Sequence, residues 1–395
     1  MKGRKGIVSL CSGCGGFDLG FQAAGFECRS AWDIDEHAIA TFNRNLQAVG
    51  KVGDVTAGEF DTSVLRAAQL LISGPPCQGF STVGKQRADD PRNTVIVRVA
   101  ELAAKAKVPI VLLENVPAIT NAKNRQVWEN VHSVFRRSGY KTSHLIVNAS
   151  EHGVAQVRHR ALLLAWRTAR EVDFRLDHTA AMTLREALKS VDDVPDHRPT
   201  YFAPSSQVAL IAKRIGPGQK LCDVRNSESS VHTWHIPEVF GKISNFERTV
   251  LENLLRLRRT LRLRDFGDAD PVLASDLSRA VKAPAGDALE QLVKKGYVKK
   301  IGKRYDLRHA FNGKMRRLDW DEPSNTVDTR FGDPRLFLHP TGRRGFTVRE
   351  AARIQGFPDS FALPQGPVGF RLVGNAVPPP VAARAATFIK HALLS

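Results

Sequence analysis

The sequence predicts an α/β fold: a mostly parallel sheet with helices on both faces, joined to a second, smaller domain. Three observations predict it. The first 165 or so residues alternate short apolar runs with helical stretches, which is the rhythm of βαβ units. That rhythm fails between about 167 and 345 and returns afterwards. A length of 395 residues also exceeds what a single small core holds.

In order, Ile7-Val8-Ser9-Leu10 reads as a strand, Leu19 to Ala24 as a helix, Glu27 to Asp33 as a strand and Glu36 to Leu46 as a helix. A third strand precedes Gly53-Asp54. Leu70-Leu71-Ile72-Ser73 ends at Gly74-Pro75-Pro76, because proline cannot continue a ladder. Val95 to Lys107 is helical, Ile110 to Leu113 a strand, Gln126 to Ser138 a helix, and Ala161 to Trp166 a buried strand.

From 167 the composition shifts toward Arg, His, Pro and Asp, with no clear sheet pattern in the first half. Within it, Phe246, Val250, Leu251, Leu254 and Leu257 share a helical face. A shorter helix follows at Ser275 to Val281, with Ser275 as its expected cap. A third runs from Gly286 to Lys295, and Tyr297 to Leu307 reads as a basic hairpin turning near Gly302. Three helices and a basic hairpin are the order of a winged helix-turn-helix, assigned to 245–310. After 345, Thr347 to Gln355 and Pro378 to Leu394 read as helices.

Lys and Arg number 58 against 40 Asp and Glu, a net charge of +18, which suits a polyanionic partner, nucleic acid before membrane. No apolar run approaches the roughly 18 residues a membrane span needs, and the run after the basic start is too short for a secretion signal. Five cysteines are too few and too odd for a disulfide framework, which points to a reducing, cytoplasmic setting.

Gly13-Cys14-Gly15-Gly16 follows the first strand, and Asp33 closes the second about 20 residues on. Glycines let the backbone turn tightly against a ligand, and an acid at the next strand end holds a ribose hydroxyl. The spacing fits an adenosine-containing cofactor without identifying it, and nicotinamide dinucleotide competes. Asp54 supplies a second carboxylate for an adenine amine. Cys11 and Cys14 lack a second pair or a nearby His, so no metal is expected. In Gly74-Pro75-Pro76-Cys77-Gln78-Gly79-Phe80-Ser81, two prolines fix the backbone just before a cysteine at the carboxyl edge of the sheet. An amino-group methyltransferase would carry an acid or Asn before the prolines and an aromatic after them. Here a nucleophile stands in the aromatic's place.

Residues 74–81 resemble the catalytic motif of the DNA cytosine-5 methyltransferases, of the prokaryotic modification-methylase type. Further motifs of that family stand in its order: Glu114-Asn115-Val116, Gln156-Val157-Arg158-His159-Arg160, Arg349 to Pro358, and Gly374-Asn375-Ala376-Val377-Pro378-Pro379. The likeness covers roughly 1–165 and 314–380. It implies a Rossmann-like sheet dependent on S-adenosylmethionine, with S-adenosylhomocysteine as product. It also implies a catalytic cofactor-binding domain at 1–166, a target-recognition region at 167–345 and a return to the catalytic domain at 346–395.

The resemblance further implies that Cys77 attacks carbon 6 of a flipped cytosine and that Glu114 binds its N3 and amine. Arg158 would contact the ring carbonyl, and Arg160 would brace Glu114 or a phosphate. Gly13, Gly15, Gly16 and Phe17 would line the methionine end, with Val55, Pro76 and Val95 completing the walls. Asp33 would take the ribose in preference to Asp35, Ile34 would lie on the adenine and Asp54 would read its amine. Asn375 and Val377 would close the pocket. The family commonly has Phe where Cys11 stands. Gln78, Ser81, Lys85, Arg87 and Arg92 would form the loop over the flipped base, and Lys299, Lys300, Lys303 and Arg304 would contact double-stranded DNA. A separately encoded restriction endonuclease is a candidate partner, and the protein is expected to act as a monomer, nucleoid-associated in a prokaryotic cytoplasm. RNA cytosine-5 methylation and a catalytically silent DNA-binding regulator are the competing readings. The long recognition region argues against the first, and the presence of Cys77 and Glu114 against the second.

Overall fold

The computed structural model describes residues 6–57, 60–76 and 94–394. The chain forms two compact units. One comprises Met1–Arg198, Trp320–Gly332 and Thr347–Ser395; the other comprises Pro199–Asp319 and Asp333–Phe346.

Unit one is built on β1 (Ile7–Leu10), β2 (Cys28–Asp33), β3 (Val49–Val52), β4 (Leu70–Ser73), β5 (Ile110–Asn115), β6 (Lys141–Asn148) and β7 (His159–Trp166). Among the described residues they form one seven-stranded sheet in the order β3-β2-β1-β4-β5-β7-β6. β1 to β5 run parallel, and β7 is antiparallel to both β5 and β6. The order reverses between β1 and β4, which opens a crevice at the carboxyl ends of the strands.

Between the strands lie α1 (Gly16–Ala23), α2 (Glu36–Asn45), α3 (Ser63–Arg66), α4 (Val95–Lys105) and α5 (Arg125–Arg137). β4 and the whole of β5 are buried, as their uninterrupted apolar runs require of a sheet covered on both faces. Val99, Leu102 and Phe135 pack in one core cluster, whereas Phe17, Phe21 and Ile389 pack in another. β6 is not foreseen by the sequence. It is an edge strand with partly exposed, mixed polar residues, so it lacks the apolar run of its neighbours. Thr183 and Glu186 form a capping box that starts α6 (Leu184–Ala187).

Unit two contains α7 (Gln207–Arg214), β8 (Lys220–Cys222), β9 (Ser230–Val231), α8 (Pro237–Phe240), α9 (Asn245–Thr260), β10 (Val272–Leu273), α10 (Ala274–Val281) and α11 (Gly286–Lys294). β11 (Val298–Ile301), β12 (Arg304–Leu307), β13 (Asn312–Lys314), β14 (Arg316–Arg317) and β15 (Phe337–Leu338) follow. β10, β12 and β11 form one small sheet and β13, β8 and β9 another. Most of these strands have two or three residues, too few for an alternating pattern to be read. Val250, Leu251, Leu254 and Leu257 of α9 pack with Leu277, Leu289, Leu292 and Tyr305. Ser244 and Glu247 start α9 with a capping box. One expectation is corrected: α10 begins at Ala274 after Leu273, with no side-chain cap, so Ser275 lies inside the helix.

The chain returns to unit one with α12 (Val348–Gln355), α13 (Gly366–Asn375) and α14 (Pro379–Ile389). Thr347 and Glu350 cap α12. The expected closing helix is α14, and the backbone then widens into a π-helical turn over Lys390–Leu394. α13 is not foreseen. Among the described residues no helix is long and apolar enough to cross a membrane.

Arg317 sits 4% exposed within unit two. It donates to the carbonyls of Ile215 at 2.6 Å, Ala212 at 2.6 Å, His339 at 2.7 Å and Gly342 at 2.9 Å. Arg317→Met keeps the apolar stem but strands these acceptors, and it is expected to cost at least ~2 kcal/mol. A lowered urea midpoint would check this; an unchanged midpoint would show that water replaces the guanidinium at no cost.

Candidate active site

The carboxyl ends of the parallel strands open onto one cavity of about 630 Å³, a volume suited to a small-molecule ligand. β1 contributes Cys11 to Cys14, β2 contributes Asp33 and Ile34, and β3 contributes Gly53, Asp54 and Val55. Gly74, Pro75 and Pro76 come from the end of β4 and Glu114 from β5. Phe17, Val95, Arg158, Arg160, Arg371, Asn375 and Val377 also line it.

The glycine turn does two different jobs. Gly13 has φ +57°, and a Cβ built on it would meet nothing within 4 Å, so this glycine keeps the backbone open to the cavity. Gly16 is held for packing, since a Cβ there would fall 2.4 Å from the Val377 carbonyl oxygen. Gly15, with φ +94°, is the N-cap of α1, and its Cβ would strike Leu46 at 2.4 Å. Gly15 and Gly16 are not among the lining residues. Their missing side chains set the close approach of α1 to Leu46 and Val377.

Asp33 accepts the Gly13 N–H at 2.8 Å on Oδ2 and the Asp35 N–H at 2.9 Å on Oδ1. Burial pushes its carboxyl above the ordinary carboxylate range, while the Gly13 and Ile34 amides and Arg371 pull it back. Beside it, Ile34 is 70% exposed, an apolar surface presented to the cavity. Asp35 is engaged elsewhere: it caps α2 through the amides of His37 and Ala38 and pairs with Arg371. Asp54 accepts the Thr56 hydroxyl at 2.6 Å and its amide at 2.8 Å, both on Oδ1. These bonds hold its carboxyl below the usual range.

At the other end, Glu114 is buried and pairs with Arg160, Nε to Oε1, at 2.7 Å. A Cβ on Gly74 would lie 3.4 Å from Glu114 Oε2, so the diproline segment leaves the sheet directly beside this carboxylate. Asn115 donates to the Pro75 carbonyl at 3.3 Å and holds that segment against β5.

The Gln156 to Arg160 segment follows strand alternation. Gln156 and Arg158 point inward, while Val157 and His159 are exposed. Arg158, expected at the substrate carbonyl, is 1% exposed and lies within a backbone cradle. It donates to the carbonyls of Val327 at 2.8 Å, Gly374 at 2.9 Å and Ala376 at 3.1 Å. That position suits a structural guanidinium, and it leaves Arg160 as the arginine beside Glu114.

Cys11 and Cys14 are free thiols that burial pushes up to about 12, so neither is a nucleophile at neutral pH. Among the described residues no group of three metal-ligating side chains exists. Cys77, Gln78, Ser81, Lys85, Arg87 and Arg92 lie outside the described residues. Lys299, Lys300, Lys303 and Arg304 belong to unit two. There Lys299 pairs with Asp306 at 3.4 Å, Lys300 pairs with Glu290 at 2.7 Å, and Arg304 donates to the Pro271 carbonyl. Arg371 and Leu372 are lining residues that the sequence reading missed. The signal available was the Gly366-Pro367 start of α13, with proline in its first turn.

Comparison with known proteins gives these features a context. The type II methyltransferase M.XorII of Xanthomonas oryzae pv. oryzae is 30% identical over 400 residues, covering 98% of this chain and 84% of that protein. The type II methyltransferase M.HgiCII of Herpetosiphon aurantiacus is 28% identical over 425 residues, covering 95% and 94%. A prophage-encoded E. coli protein of known crystal structure shares the fold with a TM-score of 0.60 at 22% identity, covering 99% of this chain and 100% of that one. The family model of the C-5 cytosine-specific DNA methylases matches residues 6–391. With that match running from β1 to the end of the last helix, the chain belongs to the C-5 cytosine-specific DNA methylase family.

Proposed function

We propose that this DNA cytosine-5 methyltransferase works by covalent catalysis from Cys77 on a cytosine turned out of a DNA duplex at a specific sequence. The observation that carries the reading is the single cavity. Pro75, Pro76 and Glu114 border it together with Asp33, Ile34 and Asp54, so a base-handling end and an adenosine-fitting end share one space.

The residues fit S-adenosylmethionine. The Asp33 carboxylate suits a ribose diol, exposed Ile34 an adenine face, and the open backbone at Gly13 the methionine end. When bound, that cofactor supplies an electrophilic methyl group on a sulfonium. Cys77, as thiolate, adds to carbon 6 of the cytosine, and the ring's electron pair moves to carbon 5, which becomes nucleophilic. Glu114 holds a proton at N3 so that negative charge does not build up on the ring. Arg160, anchored on Glu114, faces the ring carbonyl in the role first given to Arg158. Once carbon 5 is methylated, its proton passes to a base and Cys77 leaves, which restores the aromatic ring.

In unit two, the succession α9, β10, α10, α11, β11, β12 and the sheet order β10-β12-β11 support reading 245–310 as a winged helix-turn-helix for the recognition region. The pairing of Lys299 and Lys300 with acids reduces their charge toward phosphates and makes Lys303, beside the Gly302 turn, the leading contact. We assign the protein to a prokaryotic cytoplasm, acting as a monomer, with a restriction endonuclease as candidate partner.

Cys77→Ser is expected to lower methyl transfer to duplex DNA by at least about 1,000-fold while cofactor binding persists. Tritiated methyl transfer and calorimetry check both halves, and full turnover by the serine variant would end the covalent mechanism. Lys303→Glu combined with Arg304→Glu is expected to weaken duplex binding about tenfold at low salt, with the gap closing as salt rises. Fluorescence anisotropy reads this; equal affinity and an equal salt slope would remove the hairpin from the DNA surface.

A further inference from the structure

We propose that Arg371 is a positioning residue for the adenosine end of the cofactor, acting through the turn Asp33-Ile34-Asp35. This rests on the cofactor reading above.

Arg371 extends from α13 and pairs with Asp35 through both terminal nitrogens, one of them at 3.3 Å from Oδ1. Asp35 meanwhile caps α2, accepting the His37 amide at 3.0 Å and the Ala38 amide at 3.4 Å. The ion pair thus ties α13 to the residue that ends the ligand-facing turn. Its two side chains are 38% and 23% exposed, and a pair that wet contributes little to stability. Its position on the cavity wall, where both residues are lining groups, is what calls for explanation.

The turn places two carboxylates against one space, with Ile34 between them. Like charges this close disfavour each other's ionised form. The Gly13 and Ile34 amides and Arg371 from α13 act on Asp33, and the titratable groups that share the cavity wall with it are the Cys11 and Cys14 thiols after β1, Asp35 in the turn itself and Asp54 after β3. The thiols are neutral. Among the described residues, the cations lining the cavity are Arg158, Arg160 and Arg371. Arg158 is committed to backbone carbonyls and Arg160 to Glu114. Arg371 is the cation that offsets Asp33.

A ribose hydroxyl donates well to an ionised carboxylate and poorly to a protonated one, which itself carries the donor. Asp33 is displaced upward by burial, so affinity falls as pH drops through its titration. Removing Arg371 moves that fall toward neutral pH. Arg371 therefore serves the site twice, by holding the turn and by keeping Asp33 an acceptor.

The test is calorimetric binding of S-adenosylhomocysteine to the full chain from about pH 5.5 to about pH 8.5. The variants are Arg371→Ala, Arg371→Lys and Asp35→Asn. Arg371→Ala is expected to raise Kd about tenfold or more at neutral pH and to shift the acid loss of affinity upward. Arg371→Lys keeps the charge and should retain the wild-type pH profile with an intermediate Kd. Asp35→Asn keeps a good helix cap and loses the ion pair, so it should weaken binding without the upward shift. Wild-type Kd and pH profile in Arg371→Ala would overturn the proposal. Absence of binding by the wild-type chain would instead overturn the cofactor assignment on which it rests.

Discussion

Arg158 donates to backbone carbonyls at Val327, Gly374 and Ala376 and has almost no exposed surface. Those carbonyls belong to segments 169 to 218 residues away in the chain, and the donor stands just before β7 of the central sheet. A buried guanidinium is costly unless its donors are met, so the Val327 loop and the end of α13 have to converge on it. Gln156 reinforces the same point: it accepts the Val327 amide at 3.0 Å and bonds to Gln355, which in turn donates to the Ala376 carbonyl at 2.6 Å. Through these bonds the late residues Arg371, Asn375 and Val377 come to wall a cavity whose floor is laid by the first five strands.

That arrangement explains the division of labour in the cavity. The parallel strands supply acids in a row, Asp33 from β2 and Glu114 from β5, on either side of the β1/β4 reversal. Each acid is then given its own environment. Asp33 is half-buried against amide donors and faced by Arg371, which suits a neutral diol. Glu114 is locked to Arg160 beside the diproline segment, which suits a ring with a proton to share. The difference between the two environments is set by neighbours rather than by the carboxylates themselves.

Much of this was legible in the sequence because β1, β4, β5 and β7 are apolar runs bounded by turn residues, with Gly13, Pro75 and Glu114 at or just past strand ends and Asp33 closing β2. What could not be read has physical reasons. β6 carries Lys141, Thr142, Ser143 and His144 on a half-covered edge, so its pattern is that of a loop. Alternation alone does not tell which of Arg158 and Arg160 has backbone carbonyls waiting for it and which pairs with Glu114. Gly15 and Gly16 look like ligand contacts in a glycine-rich turn, yet their missing side chains make room for Leu46 and Val377. The Gly366-Pro367 start could have marked the helix that carries Arg371, but not its pairing, since its partner Asp35 lies 336 residues away.

The central claim is that the sulfur of Cys77, four residues beyond β4 in the sequence, bonds to the target base. The most direct measurement is peptide mass spectrometry after incubating the protein with S-adenosylmethionine and a duplex bearing 5-fluorocytosine at the target position. Fluorine cannot leave carbon 5 as a proton does, so the account predicts a stable adduct mapped to Cys77, carrying the methylated fluorocytosine. An adduct on Cys11, Cys14, Cys28 or Cys222, or methylation of ordinary duplex with no adduct on any cysteine, would contradict it.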